Sequence, residues 1–252
     1  MAIRTAVVEA ATGAAEIGIG SGITWDSVPA DELRECHDKS AFLTRDSSTF
    51  GLIESLRFDD QGYLLPERHL QRLAGSAAYF GFSLDLDVLR ERLRSLAGGL
   101  DGIHKVRITL AEDGAVTLDA QPLARVEAAD RPAAIAVSRQ RVDSSDPFLY
   151  HKTTRRELYD RELRHHTDCY DVIFLNQRDE VTEGCFNSIV VAMAGNLLTP
   201  ALECGLLPGV LRQELLEVGA IREAVLTLDD LQAADTVWLV NSVRGWRECC
   251  IR

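Results

Sequence analysis

Lys152 is the first of three features in the second half of the sequence that could contribute to a chemical site. It follows the apolar stretch PFLY at 147–150 and stands where a helix is predicted to begin. Apolar surroundings and a helix N-terminus both favour the neutral amine, which is the nucleophilic form of a lysine. Lys152 could therefore attack a carbonyl carbon, although the pattern also fits an ordinary solvated lysine.

A carboxylate and a glycine-rich turn are the other two features. Glu183 lies in EVTEGCFNSIVV between two predicted strands, where it could keep a heterocyclic nitrogen protonated or face water in a hairpin turn. GLLPGVLRQELLEVG, which begins at Gly205, is a glycine and proline turn that leads into a helix. The free N–H groups at the start of that helix could bind an anion, or the turn could be a plain helix cap.

Strands and helices interleave in the part of the chain before these features. A strand at 51–58 precedes a helix that begins at Pro66, and a second helix ends at Gly98 and Gly99, where a positive φ is expected. The next two predicted strands are joined by an Asp-Gly turn at 113–114. The pattern predicts a small lobe that contains both helices and strands.

The polar segment RVDSSDP at 141–147 indicates a connection between two lobes. After it the sequence predicts a helix following Thr153, strands from Cys169 and Phe186, a helix from Pro208 that is closed by glycine, and two final strands. These elements would position all three chemical features in a second, larger lobe.

Composition and charge exclude several classes of protein. The chain has 252 residues, of which 46% are hydrophobic and 26% charged, as in globular proteins. Its net charge of −12 disfavours nucleic acid and anionic membranes as partners. No apolar run approaches the roughly 18 residues of a membrane helix, and the N-terminus lacks the pattern of a signal peptide. We therefore expect a soluble, cytoplasmic protein that binds neither nucleic acid nor membrane.

The cysteines and histidines do not predict a metal site. The 6 cysteines have no CxxC spacing, so reduced thiols are expected. The adjacent Cys249 and Cys250 have no histidine at zinc-finger spacing. The cluster at 165–169 (HHTDC) is interpreted as a polar helix end.

The order of the motifs resembles a known enzyme family. Lys152, then TEG, then GLLPG, then NSVRG at 241–245 follow one another as in the fold-type IV pyridoxal-phosphate enzymes, which include branched-chain and D-amino-acid aminotransferases and aminodeoxychorismate lyase. GLIESLR and ERHLQRL are similar to the family's first active-site strand and first helix. The resemblance extends from about Phe50 to the C-terminus. It implies an α+β fold with a small α/β lobe and a larger, barrel-like lobe with helices.

The resemblance also implies roles for individual residues. Lys152 would form a Schiff base with pyridoxal 5'-phosphate and move the proton at the substrate Cα, and Glu183 would keep the pyridine nitrogen protonated. Glu54 would reach the substrate from the first strand, and Arg107 would bind a substrate carboxylate. The residues that would bind the phosphate or lie beside the ring are Arg72, Asn187, Val210, Leu211 and Ser242.

The segment around the lysine is similar to the lyase branch of the family. The aminotransferases usually place a tyrosine five residues after the lysine, whereas this sequence has Glu157 there and its nearest tyrosine is Tyr159. HKTTRRELYD looks more like the lyases. The expected reaction converts 4-amino-4-deoxychorismate to 4-aminobenzoate and pyruvate. The alternatives are a branched-chain or D-amino-acid aminotransferase, and a non-catalytic module of a synthase fusion.

The first 43 residues resemble a different enzyme. AEIGIGSGITWDSVPADELRECHDKSAFL is similar to the C-terminal end of the chorismate-using component I of aminodeoxychorismate synthase. The alternative is a native N-terminal extension docked on the lyase fold. The implied domains are a synthase remnant, a small lobe, a linker and a pyridoxal-phosphate lobe, at 1–43, 44–137, 138–146 and 147–252. The implied partners are a small-molecule substrate, a second copy in a homodimer and, in the intact fusion, a glutamine amidotransferase subunit.

Overall fold

The computed structural model describes residues 6–44, 49–124 and 131–252. The chain divides into two compact units, Met1–Thr49 and Phe50–Arg252. The start of the synthase-like segment, residues 1–5, lies outside the described residues. In the described part of the chain, no helix is both long enough and apolar enough to cross a membrane.

The N-terminal unit is a hairpin followed by a helix. Strands β1 (Ala6–Val8) and β2 (Ala15–Ile17) pair in antiparallel fashion, and helix α1 (Pro29–Thr44) begins at a proline. Ile23 and Trp25 are 83% and 102% exposed. The apolar side chains of this segment are thus on its surface, as expected for a piece with too few large apolar residues to form a core.

The first half of the Phe50–Arg252 unit is a four-stranded antiparallel sheet with two helices. The sheet order is β4-β3-β5-β6. Leu56 and Ile108 of the sheet and Leu70 and Leu89 of the helices are buried in one apolar cluster. The elements are β3 (Leu52–Asp59), β4 (Gly62–Tyr63), α2 (Pro66–Phe80), α3 (Leu86–Ala97), β5 (His104–Leu110) and β6 (Val116–Pro122).

The glycines at the turns of this lobe behave in two ways. Gly114 has φ 92°, as the predicted Asp-Gly turn requires. The predicted positive φ at Gly98 and Gly99 is wrong. Gly98 has φ −63° because its N–H still bonds to the Arg94 carbonyl of α3, so the last turn stays right-handed. The left-handed residue after this helix is Gly102.

The rest of this unit is built on an eight-stranded sheet in the order β12-β11-β10-β13-β14-β7-β8-β9. The helices are α4 (Glu157–His165), α5 (Val210–Glu217) and α6 (Leu228–Ala233), and a short 3-10 helix covers Pro147–Tyr150. The strands are β7 (Ala133–Val142), β8 (Asp171–Asn176), β9 (Val181–Gly184), β10 (Ser188–Met193), β11 (Asn196–Pro200), β12 (Arg222–Ala224), β13 (Thr236–Asn241) and β14 (Gly245–Ile251).

Strand β7 crosses the lobe boundary that the sequence predicts at residue 137. It runs parallel to both β8 and β14, between which it lies in the large sheet. Residues 133–142 therefore belong to the larger lobe, rather than partly to the small lobe and partly to a linker. Pairing partners distant in sequence determine this assignment, and a local pattern of apolar residues does not reveal them.

The two sheets meet at the start of β3. The Ile53 N–H donates to the Lys152 carbonyl at 2.9 Å, and the Thr154 N–H donates to the Gly51 carbonyl at 2.9 Å. Leu52 and Thr153 form an isolated antiparallel bridge. Lys152 is thus held at the junction of the two lobes by backbone hydrogen bonds.

Candidate active site

A cavity of about 340 Å³ collects residues from both sheets of the Phe50–Arg252 unit. Seven of the nine residues that the sequence analysis assigns to the site line this cavity. Glu54 and Arg107 are not among the lining side chains. The seven that line it are Arg72, Lys152, Glu183, Asn187, Val210, Leu211 and Ser242.

Lys152 has a lowered pKa in this cavity. Burial is the largest cause and the charge of Arg72 the next, and together they outweigh the opposing effect of Glu54 and bring the pKa to about 8. Helix α4 begins only at Glu157, so the prediction that Lys152 stands at a helix start is wrong. Desolvation, and not a helix N-terminus, favours the neutral amine.

Glu183 lies at the end of the cavity formed by β9. It is 9% exposed, and burial raises its pKa to about 8 against the smaller lowering effects of a backbone hydrogen bond and the Lys152 charge. The Tyr159 hydroxyl donates to Glu183 Oε1 at 3.4 Å. A carboxylate in this position gains most when a cationic N–H group lies against it.

Glu54 does not face the cavity because β3 alternates its side chains. Ile53 and Ser55 line the cavity, and Glu54, 1% exposed, points to the opposite face toward α2. There it accepts hydrogen bonds from Arg72 Nε at 2.7 Å and Nη2 at 2.8 Å, and from His69 Nδ1 at 2.7 Å. Burial alone would raise its pKa, but the charge of Arg72 and the hydrogen bonds from His69 and Arg72 lower the pKa of Glu54 to about 2.

An anion-binding corner forms where α2 meets the start of α5. Arg72 Nη1 donates to the Pro208 carbonyl at 3.0 Å and keeps an N–H on each terminal nitrogen for a ligand. The first amides of α5, at Val210 and Leu211, have no partner within the helix. Ser242 also lines the cavity and lies 2.9 Å from His69 Nε2.

Gly209 lets the backbone of α5 come close to β10. A Cβ at this position would lie 2.4 Å from Ser188 Oγ, closer than any carbon and oxygen can approach without displacement. A larger residue there would require the Ser188 hydroxyl or the start of α5 to move. The same close approach occurs at Gly184, where a Cβ would lie 2.4 Å from Asp171 Oδ2.

Asn187 is held by a buried polar network that the sequence analysis missed. Its Nδ2 donates to Asp171 Oδ2 at 2.7 Å, and its Oδ1 accepts from Asn241 Nδ2. Asp171 is fully buried and also accepts the N–H groups of Val172 and Cys185. The feature of the sequence that could have indicated this network is the aspartate that begins the apolar strand DVIFLN.

Lys105 and Arg244 also line the cavity and were not predicted. Lys105 lies on β5 two residues before Arg107, so both side chains project from the same face of the strand. Arg107 pairs in register with Ser55. The KVR spacing on β5 and the arginine of NSVRG were the signals in the sequence. Among the described residues, no group of three or more His, Cys, Asp or Glu side chains is arranged to hold a metal ion.

Comparisons with protein families divide the chain at the same place as the structure. The family model described as amino-transferase class IV matches residues 51–250. The model described as chorismate binding enzyme matches residues 1–45.

Two relatives match about three quarters of the chain. A Schizosaccharomyces pombe protein, provisionally named an aminodeoxychorismate lyase, is 31% identical in an alignment of 201 residues that covers 77% of this chain and 86% of the relative. A Thermotoga maritima protein, provisionally named a branched-chain-amino-acid aminotransferase, is 29% identical in an alignment of 205 residues that covers 76% of this chain and 73% of the relative.

Solved structures share the fold. A provisionally named amino-acid aminotransferase from Mesorhizobium loti has a TM-score of 0.76 and 38% identity, covering 81% of this chain and 100% of that one. A provisionally named 4-amino-4-deoxychorismate lyase from Legionella pneumophila has a TM-score of 0.71 and 21% identity, covering 84% of each chain. The PLP-bound form of a hypothetical aminotransferase from Mycobacterium tuberculosis has a TM-score of 0.68 and 26% identity, covering 84% of this chain and 83% of that one.

Proposed function

Because the chain belongs to the class IV aminotransferase family and has its α+β, fold-type IV architecture, we propose that it is a pyridoxal-phosphate-dependent lyase. The proposed reaction converts 4-amino-4-deoxychorismate to 4-aminobenzoate and pyruvate, a step toward folate. The observation that carries the proposal is the convergence of Lys152, Glu183 and the anion-binding corner on one cavity.

The donor set of the cavity fits pyridoxal phosphate. When bound, this cofactor supplies an aldehyde for amines, a phosphate anion, and a pyridine ring that withdraws electrons when its nitrogen is protonated. Arg72, the first amides of α5 and Ser242 would hold the phosphate. Glu183 would hold the protonated nitrogen, with Asn187 beside the ring. The related mycobacterial structure described as PLP-bound supports this choice of cofactor.

Lys152 provides the amine and the base. Its lowered pKa leaves a large fraction of Nζ neutral near pH 8, so Nζ would be available as the nucleophile for the cofactor's aldehyde. With a substrate amine held by the cofactor, the Lys152 Nζ would be the base for the proton on the substrate carbon that bears that amine. In this proposal Glu183 has the complementary role, as the acceptor for the ring N–H.

The elimination step needs little further catalytic apparatus. Removal of that proton allows the bond between the neighbouring ring carbon and the enolpyruvyl oxygen to break, and Lys152 can return its proton to the departing pyruvate. The product ring becomes aromatic, which makes the step strongly downhill. The protein therefore contributes mainly orientation, an acid and a base.

The lyase is favoured over the transaminase by two observations. The Schizosaccharomyces pombe relative carries the lyase name, and the match of residues 1–45 to chorismate-binding enzymes associates the chain with chorismate chemistry. We therefore also propose that this segment derives from a synthase domain, whose intact form would work with a glutamine amidotransferase subunit. The Thermotoga maritima relative makes a branched-chain aminotransferase the second candidate.

The test follows both products of the proposed reaction. The protein loaded with pyridoxal phosphate is incubated with 4-amino-4-deoxychorismate, and equimolar 4-aminobenzoate and pyruvate are expected. Lys152→Ala should abolish both products and the visible absorbance of the bound cofactor, whereas Lys39→Ala, at an exposed lysine of the N-terminal unit, should retain them.

Other results would reject the proposal. Amino transfer from branched-chain amino acids to 2-oxoglutarate, without release of 4-aminobenzoate, would establish the second candidate. Protein that stays colourless after addition of pyridoxal phosphate would instead support a non-catalytic module.

A further inference from the structure

The charge inside the cavity is opposite to the charge of the chain. The whole sequence carries −12, yet among the described residues that line the cavity Glu183 is the only carboxylate, and its raised pKa reduces its charge at neutral pH. The cationic side chains that line the cavity are Arg72, Lys105, Lys152, Arg155, Arg156, Arg212 and Arg244.

Several of these cations are already engaged by the protein. Arg72 is paired with Glu54, and Arg212, which is buried, is paired with Glu223. Arg156 donates to a backbone carbonyl at 2.7 Å. The proposed cofactor phosphate would use the remaining N–H groups of Arg72. These side chains therefore do not account for the surplus of positive charge.

Lys105 and Arg244 make no ion pair with any residue in the described part of the chain. Burial lowers the pKa of Lys105, and the charges of Arg107 and Arg244 lower it further, so these cations lie near one another. Asp119 opposes this effect, but it is exposed on β6 and accepts a hydrogen bond from Gln121. Two cations thus border the cavity without a close counter-ion.

The loop that carries Arg244 is ordered by its own hydrogen bonds. Asn241 Oδ1 accepts the N–H groups of Val243 at 2.9 Å and Arg244 at 2.7 Å, at the turn between β13 and β14. Lys105 comes from the other sheet, on β5. Both side chains are therefore presented from fixed backbone, which reduces the entropy lost when a ligand binds.

We propose that Lys105 and Arg244 bind a second carboxylate of the substrate and so select dianionic over monoanionic substrates. This inference rests on the proposed function, because it takes the cavity as the substrate site. 4-Amino-4-deoxychorismate carries two carboxylates, one on the ring and one on the enolpyruvyl group. A branched-chain amino acid has one carboxylate and an apolar side chain, which offers no second negative charge to the partly buried Lys105 and the exposed Arg244.

The test compares two stable aromatic amines as probes of the holoenzyme. 4-Aminoisophthalate carries two carboxylates, and 4-aminobenzoate carries one. We expect the parent protein to bind the dianion at least about tenfold more tightly in titration calorimetry, since hydrogen bonds between charged groups are stronger than those between neutral groups. Lys105→Gln and Arg244→Gln should each remove most of this preference and leave 4-aminobenzoate binding nearly unchanged.

The matched control is Arg222→Gln, which removes an exposed arginine of β12 that does not line the cavity. It should keep the full preference, and unchanged thermal melting of all three variants would show that they fold. A preference that survives in both Lys105→Gln and Arg244→Gln would overturn the inference even if lyase activity is found. A preference that these substitutions remove, in a protein that releases no 4-aminobenzoate, would support the inference and reject the lyase.

Discussion

Lys152 and Glu183 have shifted pKa values for the same physical reason. Removal from water disfavours a charge of either sign, so burial lowers the pKa of the lysine and raises the pKa of the carboxylic acid, each to about 8. The cavity thereby prepares a nucleophilic amine and a carboxyl group able to meet a protonated nitrogen. Neither property belongs to the residue type alone, because ordinary values lie near 10.4 and 4.3.

The lowered pKa of Lys152 predicts a pH dependence for cofactor capture. Only the neutral amine attacks an aldehyde, so the capture rate of cofactor-free protein should rise with pH and reach half its maximum near pH 8. Stopped-flow absorbance after mixing with pyridoxal phosphate measures this profile. A half-maximum near pH 10, the value of a solvated lysine, would contradict the effect of burial.

Tyr159→Phe tests the hydrogen bond to Glu183. This hydrogen bond lowers the pKa of Glu183, so its removal should raise that pKa further and weaken the ionised form that holds the ring nitrogen. We expect kcat to fall about fivefold, from a loss of about 1 kcal/mol, and the pH profile of the cofactor absorbance to shift upward.

Tyr150→Phe is the matched control for Tyr159→Phe. The Tyr150 hydroxyl donates to the Ser144 carbonyl, so this variant also removes one tyrosine hydroxyl but no contact with Glu183. An unshifted pH profile in Tyr159→Phe, or the same shift in both variants, would reject the role of the Tyr159 hydroxyl.

At the scale of elements, the meeting of β3, α2 and α5 builds the anion-binding corner. Glu54 on β3 orients Arg72 of α2, and Arg72 in turn bonds to the Pro208 carbonyl just before α5. Glu54 is therefore a positioning residue in this geometry. The family resemblance implies that Glu54 contacts the substrate directly, and its placement does not support that contact. The corner depends on three elements that are distant in sequence.

Gly209→Ala should weaken phosphate binding. The added methyl group would lie 2.4 Å from Ser188 Oγ, so either this hydroxyl turns away or the first turn of α5 moves away from β10 and from Arg72. We expect the Kd for pyridoxal phosphate to rise about tenfold or more, since misplaced backbone donors lose about 1.5–3 kcal/mol with an anion. Fluorescence titration of the cofactor-free protein measures the change.

The control for this substitution is Gly75→Ala in α2, where a Cβ has no neighbour within 4 Å. There alanine should leave the Kd unchanged and raise helix stability by up to about 1 kcal/mol. Equal cofactor affinity in Gly209→Ala and the parent protein would show that α5 does not move, and would contradict this prediction.

At the scale of the whole molecule, every residue that lines the cavity lies in the Phe50–Arg252 unit. A variant that begins at Phe50 should therefore bind pyridoxal phosphate with the affinity of the full chain. Parallel titrations of the two proteins test this expectation, and a truncated protein that folds but binds the cofactor more than about tenfold less tightly would contradict it. The homodimer stays a prediction, for which light scattering of the holoenzyme is the measurement.

The local elements and the family could be predicted from the sequence alone. Helix α2 begins at Pro66 and Gly114 forms the expected turn, because apolar periodicity, proline and glycine act over a few residues. The ordered motifs from Lys152 to NSVRG identified the class IV aminotransferase family, because each motif is a short segment with its own backbone requirement. Seven of the nine site residues that these family motifs predicted line one cavity.

Only the tertiary structure decided which side chains face the cavity. Glu54 and Ser55 are adjacent in sequence, yet one lies under Arg72 and the other lines the cavity, because strand register determines the face on which a side chain lies. Lys105 and Arg244 come together from two sheets, and β7 enters the larger one through partners far along the chain. Long-range pairing and burial create these neighbours, and they have no local pattern in the sequence.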